Sequence, residues 1–396
     1  MNTPRFVAID FFCGAGGTTR GLIDAGGYVI AGVDKDQRVE RTYRENNRNL
    51  VLDGIEPSFL AMDVFPKTRR YPRGQQEELK VQLRKQIKAA RAKAPGAPLL
   101  FAICAPCQPF TTLSKKKLSE KRSRGRRKDR GLLREAAMFV EAFRPDLVLS
   151  ENVAGIGDKR YGDVWESFRK RLQELGYLTG SKVVDASRFG IPQFRKRSIL
   201  IAARARIIPK HKLNSDFKLL VPESDPDADI VAVRQAIGHL PPVRAGEDFP
   251  DVPNHRTRSL SDLNKKRLLA AKPGETNRYL RITRFGDLSL ACHRKVKRKL
   301  GVHCFGDVYT RMHPDRPSPT ITTRCHSISN GRFGHYDTKQ TRGISLREAA
   351  ALQSFPDTYV FYPTNQIEPV ARMIGNAVPP KLAQFFADYL VSAVRF

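Results

Sequence analysis

Short apolar runs alternate with amphipathic stretches over roughly the first half of the chain. The runs predict strands near 5–10, 28–33, 99–104, 146–151, 179–185 and 198–203. Between them, the stretch ending near Ala25 and the segments 75–93 and 164–175 carry helical periodicity. In 164–175, Val164, Phe168, Leu172 and Leu175 share one face while Glu166, Arg169, Lys170, Arg171 and Glu174 fill the rest, and Gly176 supplies the stop. Segment 75–93, rich in Gln, Glu, Lys, Arg and Ala, predicts a charged surface helix. Strands nearly continuous in apolar residues and separated by helices predict an α/β fold: a doubly wound, mostly parallel sheet covered on both faces.

From 206 to 334 the alternation fades, Pro and Asp cluster at 221–229, and basic residues gather at 294–299. Order returns after 340, where Ser345-Leu346-Arg347-Glu348 fits a capping box and Pro379-Pro380 opens an amphipathic helix bearing Leu382, Phe385, Phe386, Tyr389 and Leu390. The expected organisation is a discontinuous domain, 1–205 plus 335–396, interrupted by a smaller, irregular domain at 206–334.

Charge narrows the choice of partner. The chain has 70 basic and 40 acidic residues in 396, a formal net charge of +30, which favours a polyanion over an acidic protein or neutral metabolite. Six cysteines without a repeating spacing argue against a disulfide framework, and no apolar run is long enough to span a bilayer. The expectation is a cytoplasmic, membrane-free protein.

Candidate chemistry collects where strands end. Cys107 sits in Ala105-Pro106-Cys107-Gln108-Pro109-Phe110, just past the 99–104 strand, on a Pro-bounded loop that would aim a thiol into a crevice. Cys104-Ala105-Pro106-Cys107 is also formally Cys-x-x-Cys, so a zinc half-site or redox pair is the competing reading. Glu151, in Glu151-Asn152-Val153, closes the 146–151 strand and would share the sheet edge where open α/β folds bind ligands; a polar strand terminus is the alternative. Gly14, Gly16 and Gly17 lie between strand and helix, spaced unlike the dinucleotide fingerprint, and permit close approach of a ligand to helix N-terminal amides. Asp34 ends the next strand, where a carboxylate can accept bonds from ribose hydroxyls, with Asp36 as an alternative. Lys115, Lys116 and Arg126 belong to a basic run at 115–130 suited to phosphates. Cys292-His293, His303-Cys304 and Cys325-His326 raise a zinc hypothesis, but their spacings match no common finger and no metal is expected.

Taken together, Asp10-Phe11-Phe12-Cys13-Gly14-Ala15-Gly16-Gly17, the Pro106-Cys107 turn, Glu151-Asn152-Val153, Gln193-Phe194-Arg195-Lys196-Arg197, Arg311-Met312-His313-Pro314, Pro319-Thr320-Ile321-Thr322-Thr323 and Ile374-Gly375-Asn376-Ala377-Val378 resemble, in order, the motifs of the DNA (cytosine-5) methyltransferases of bacterial type. Ala105, Thr111 and Phe11 depart from the usual Pro, Ser and Leu without removing a reacting group.

The resemblance implies a Rossmann-like methyltransferase sheet with S-adenosylmethionine held by Phe12, Gly14, Gly16, Gly17, Asp34, Asp63, Pro106 and Asn376. It implies Cys107, Glu151, Arg195 and Arg197 as catalytic residues, the arginines clamping base and phosphate. It adds Gln108, Gln193, Arg311 and Thr322 to the DNA contacts and assigns 206–334 to target recognition.

The expected reaction is methyl transfer to C5 of a flipped-out cytosine in a specific double-stranded DNA sequence, through a covalent Cys107–C6 adduct. The enzyme is expected to act as a nucleoid-associated monomer, alongside a restriction or phage-defence system. An RNA (tRNA) cytosine-5 methyltransferase, suggested by Pro109-Phe110-Thr111, and a catalytically silent DNA-binding relative are the alternatives.

Overall fold

A computed structural model describes residues 3–106, 131–158, 163–209, 211, 213–214, 218–291, 294 and 306–394. The chain forms two compact units, one from 1–189, 196–228 and 377–396, the other from 190–195 and 229–376.

The first unit is built on a seven-stranded sheet: β1 Phe6–Phe11, β2 Gly27–Val33, β3 Ser58–Leu60, β4 Leu99–Ile103, β5 Leu147–Val153, β6 Tyr177–Asp185 and β7 Lys196–Arg204. Their order is β3-β2-β1-β4-β5-β7-β6. β1 to β5 run parallel, and β7 inserts antiparallel between β5 and β6. Every residue of β1, β2 and β4 is buried, which is why these strands read as continuous apolar runs rather than alternating ones.

Helices α1 Gly17–Asp24, α2 Glu40–Asn46, α3 Gln76–Lys93, α4 Leu132–Phe143, α5 Val164–Glu174 and a later one, Pro380–Ser392, belong to this unit. On α3 the buried stripe is Leu79, Leu83, Ile87 and Ala90 beneath an otherwise charged surface. On α5 it is Trp165, rather than Val164, that joins Phe168 and Leu172 in the core, its indole N–H donating to Ser181 Oγ at 2.9 Å. Gly21 of α1 permits close helix packing, since a Cβ there would lie 2.3 Å from the Pro380 carbonyl oxygen. The strand β3 and helix α2 were not legible in the sequence: β3 spans only Ser58–Leu60, too short to display a period.

The second unit holds α6 Val233–Ile237, α7 Asp262–Ala270, α8 Leu346–Leu352 and α9 Ile367–Asn376; the helix Pro380–Ser392 of the first unit is α10. Among the described residues its extended pairings are isolated bridges, such as Arg311 with Gly334 and Gly334 with Gly343.

The unit boundaries differ from the 206 and 335 expected from sequence. Residues 206–228 stay with the sheet: Leu219 N–H donates to Thr179 O at 3.3 Å and Asp225 N–H to Arg188 O at 3.0 Å. Residues 335–376 belong to the second unit because Arg347 donates to Pro253 O at 3.0 Å and the Asn254 amide bonds both the carbonyl and N–H of Phe361 at 2.8 and 2.7 Å. Residues 190–195 join it through Ser318, whose N–H donates to Pro192 O at 2.9 Å and whose carbonyl accepts from Phe194 at 2.8 Å.

Candidate active site

Parallel pairing brings the C-terminal ends of β1 to β5 to one edge of the sheet. Phe12 and the glycine turn follow β1, Asp34 follows β2, Asp63 comes after β3, Cys104 to Pro106 follow β4, and Glu151 lies near the end of β5. Open α/β sheets place ligands at such an edge.

Phe12, Gly14 and Gly16 all adopt left-handed backbone, with φ of 63°, 51° and 90°. Gly16 is the N-cap of α1 and has no side chain to crowd its amides. Asp34 braces the turn: Oδ2 accepts from Gly14 N–H at 3.0 Å, and Oδ1 accepts from Asp36 N–H at 2.9 Å. Burial raises the Asp34 carboxyl, the two backbone bonds opposing it. Asp36, the alternative, turns its carboxylate to Arg38 at 2.7 Å. Asp63 is half-buried and its Oδ1 accepts from Phe65 N–H at 3.2 Å.

Asp10, beneath this turn, is fully buried; Oδ2 accepts from Thr19 Oγ1 at 2.7 Å while Oδ1 has no hydrogen-bond partner. Burial lifts its carboxyl to about 7 against the Thr19 bond. Above Gly14 there is open space, since a Cβ there would meet nothing within 4 Å. A glycine cradle at a helix N-terminus, rimmed by Asp34 and Asp63, fits a ligand with ribose hydroxyls and oxygen acceptors for the helix amides.

Cys107 lies outside the described residues, as do Gln108, Lys115, Lys116 and Arg126. The turn leading to it is described. Asn152 Nδ2 donates to Ala105 O at 2.9 Å, and Ser150 Oγ donates to Ile103 O at 2.5 Å, so two side chains of β5 pin the backbone just before Pro106. Sequence reasoning assigned neither residue a role; their signal is polar character at the end of an otherwise apolar strand. The other thiol of the Cys-x-x-Cys, Cys104, is pushed well above its usual range by burial and by the Glu151 and Asp10 charges, although Thr18 and the Glu151 backbone bond it. It is a poor nucleophile and a poor redox partner.

Glu151 is 9% exposed. In the β5–β7 register it faces Ile199 while Val153 faces Arg197, so Arg197 is its diagonal neighbour on the same face. Arg197 Nε lies 2.7 Å from Glu151 Oε1, close enough to pair but without hydrogen-bond alignment at that oxygen. Arg197 also donates to Lys196 O at 2.7 Å. A pocket bounded by Thr18, Cys104, Leu149, Ile199 and Phe386 adjoins Glu151, so one side of the acid is apolar.

Three other site residues have different surroundings from those the sequence suggested. Arg195, expected to clamp the base, is buried in the second unit, donating to Ile321 O at 2.8 Å, Gly375 O at 3.2 Å and Gln193 Oε1 at 3.3 Å. Gln193, expected on DNA, is fully buried: its amide donates to Leu352 O at 3.1 Å and Gln353 Oε1 at 2.8 Å, and its oxygen accepts from Ile321 N–H at 2.8 Å. Arg311, also expected on DNA, is 1% exposed and donates to the carbonyls of Leu268, His335, Asp337 and Gln340 at 2.8–3.1 Å. Their polar atoms are engaged within the second unit, so Gln193 and Arg311 brace it in this structure. Thr322 is half-buried, its Oγ1 accepting from Arg324 N–H at 3.3 Å, and Asn376 is exposed at the end of α9. Cys325 is a buried thiol pushed up to about 12 by desolvation; Cys292, His293, His303 and Cys304 lie outside the described residues.

Comparison with known proteins identifies the family. Residues 78–392 match the family model of the C-5 cytosine-specific DNA methylases. Type II methylase M.HgiDII of Herpetosiphon aurantiacus is 34% identical over 385 residues, covering 96% of this chain and 93% of the relative. Type II methyltransferase M.AgeI of Thalassovita gelatinovora is 27% identical, covering 98% and 99%. Among solved structures, a protein described as a DNA modification methyltransferase of an E. coli prophage superposes with a TM-score of 0.65 at 19% identity, covering 98% and 99% of the two chains. The S. pombe Dnmt2 methyltransferase gives 0.53 at 16%, covering 98% of each. At such identities the structural likeness speaks for the fold. The chain belongs to the C-5 cytosine-specific DNA methylase family and is a DNA cytosine-5 methyltransferase. Among the described residues no helix is long and apolar enough to cross a membrane.

Proposed function

We propose that the enzyme uses S-adenosylmethionine to methylate C5 of a cytosine turned out of duplex DNA, through a transient bond between Cys107 Sγ and C6. C5 of cytosine is a weak nucleophile; addition of a thiolate at C6 turns the ring into an enamine whose C5 can attack. S-adenosylmethionine supplies the electrophilic methyl group when bound. The glycine turn with Phe12, together with Asp34 and Asp63, would hold it, and Pro106 and Asn376 are assigned to the same pocket.

Glu151 faces N3 in this reading, giving up a proton there as Cys107 adds and taking it back as the product forms. Arg197 anchors the carboxyl group and meets the base or its phosphate. Asn152 and Ser150 fix the backbone that presents Cys107. Once C5 carries the methyl group, its hydrogen leaves to a water-borne base and Cys107 departs as thiolate. A base stacked in duplex hides C5 and C6, so the target must leave the helix.

The observation that carries the reading is the Glu151–Arg197 pair on the strand that pins the Cys107 turn. Target recognition is assigned to the second unit, and Lys115, Lys116 and Arg126 to backbone contacts that close over the substrate. Relatives named as Type II enzymes support pairing with a restriction system; we assign the methylase monomeric action in the nucleoid as part of the same proposal.

A duplex carrying 5-fluorocytosine in the target should trap the adduct, because fluorine at C5 cannot leave as a proton. Intact-protein mass should rise by one DNA strand in wild type and not in Cys107→Ser. Glu151→Gln should slow methyl transfer about 10²–10⁴-fold. A trapped adduct in Cys107→Ser, or full activity in Glu151→Gln, would contradict the mechanism.

A further inference from the structure

The second unit contains a cleft of its own. It measures about 290 Å³ and is lined by Arg258, Asn264, Arg324, His326, Ser327 and Ser329, among others. That is smaller than an ordinary ligand pocket and suits a single small polar group.

The lining is rich in donors and positive charge. Arg324 is exposed, and among the described residues no carboxylate lies within ion-pair distance of it. Arg258 is partly exposed and has Glu368 only at the limit, 3.9 Å away. Its Nη1 lies 3.3 Å from His326 Nδ1, and since a guanidinium can only donate, Nδ1 accepts and the imidazole proton sits on Nε2. His326 is therefore neutral, in keeping with burial and the two flanking arginines, which lower it, with Glu368 opposing. Ser327 and Ser329 hydroxyls lie 2.9 Å apart on the short turn Ile328–Asn330. Two guanidiniums line this one cleft, Arg324 with no carboxylate within ion-pair distance among the described residues and Arg258 with only Glu368 at 3.9 Å, so the cleft carries an excess of positive charge that an anion would offset.

We infer that this cleft is a phosphate seat, in which Arg258 and Arg324 together grip one backbone phosphate of the DNA substrate. The inference rests on the reading of the chain as a DNA methyltransferase but concerns a site remote in sequence from the reacting groups. Guanidinium pairs suit phosphate oxygens because they donate in a planar fork, and such contacts fix register without reading sequence. The seat sets where the second unit sits along the duplex.

The test uses full-length Arg258→Gln and Arg324→Gln. Affinity is measured from low to high NaCl on two duplexes: one bearing the methylated motif and one with that motif scrambled. The double variant should flatten the log Kd against log salt slope by about 0.9 and each single variant by part of that, weakening both duplexes alike. Arg324→Lys should restore most of the slope, which a purely structural role would not require. Methyl transfer at saturating DNA and low salt should stay at the wild-type rate, so loss of methylation by wild type itself would sink the enzyme reading and not the seat.

An unchanged slope overturns the inference. So does a loss confined to the motif duplex with a broadened methylation pattern, which would mark base reading. The source of the phosphate is separated by following the His326 imidazole resonances: a short duplex should shift them at micromolar concentration. Saturation by equally dilute inorganic phosphate would make the cleft a free-phosphate site and refute the DNA assignment.

Discussion

The two units solve the same problem, how to satisfy buried backbone, in opposite ways. In the first, strand ladders pair the carbonyls and the core between sheet and helices is almost wholly apolar, from Phe6 and Phe11 through Phe101 and Phe139 to Leu200. In the second, where extended pairings among the described residues are isolated bridges, arginines do this work. Arg311, Arg342 and Arg347 are its largest fully buried side chains. Arg311 gathers four carbonyls, and Arg347 takes those of Pro253, Pro356 and Tyr359. Arg342 forms a bidentate pair with Glu348, both bonds at 2.7 Å, while His335 Nε2 lies 3.4 Å from the same carboxylate. Burial alone would raise Glu348, but the Arg342 charge and bonds hold it well below the usual carboxylate range. A buried arginine that gathers several backbone carbonyls thus takes the place of a strand, and a high content of basic residues is not all available to DNA.

That contrast can be broken by substitution. The largest effect is expected from Glu348→Ala, which strands Arg342 in the interior: about 3–5 kcal/mol of stability should be lost. Hydrogen exchange should accelerate across 229–376 and leave the strands of the first unit protected; uniform loss in both units would deny that the network is local.

Arg311→Met should come next, at roughly 2–4 kcal/mol, since four carbonyls lose their donor. Its DNA binding, measured below the unfolding transition, should keep the wild-type salt slope. A flattened slope would restore Arg311 to the DNA interface. Arg311 is lowered to about 10 by burial, so it stays charged at neutral pH and its bonds persist.

The smallest effect belongs to the first unit. Asp10 has a folded-state value near 7 against 3.8 for the free carboxyl, so folding takes up a proton between those values. Stability from this group is therefore full below about 4 and declines as pH rises through 7. Asp10→Asn should remove that decline and leave the protein more stable than wild type above pH 7, read from urea midpoints at several pH values. An unchanged pH profile would show that Asp10 is ionised in the fold.

The same contrast explains what was legible in the sequence. The sheet was legible because buried strands leave continuous apolar runs and their ends expose Cys107, Glu151 and Asp34 as exceptions. The strand β3 was not, because Ser58–Leu60 is too short to show a pattern. In the second unit, Arg311 and Gln193 were assigned to DNA by the family resemblance, and irregular chain has no period that would have shown both side chains to be buried. Arg195 and Arg197 make the point within one motif: Arg197 enters β7 and pairs with Glu151, while Arg195, two residues earlier, braces the second unit. The buried contact to Ile321 and Gly375 depends on residues more than a hundred positions away, which no local pattern carries.

The most direct test of the account is the modification itself. Wild-type and Cys107→Ser proteins would be expressed in a host lacking cytosine methylation and its DNA mapped by conversion sequencing. The account expects 5-methylcytosine at a short recurrent motif with wild type and none with Cys107→Ser. Unmodified DNA from folded wild-type protein, or a motif still methylated by Cys107→Ser, would contradict it.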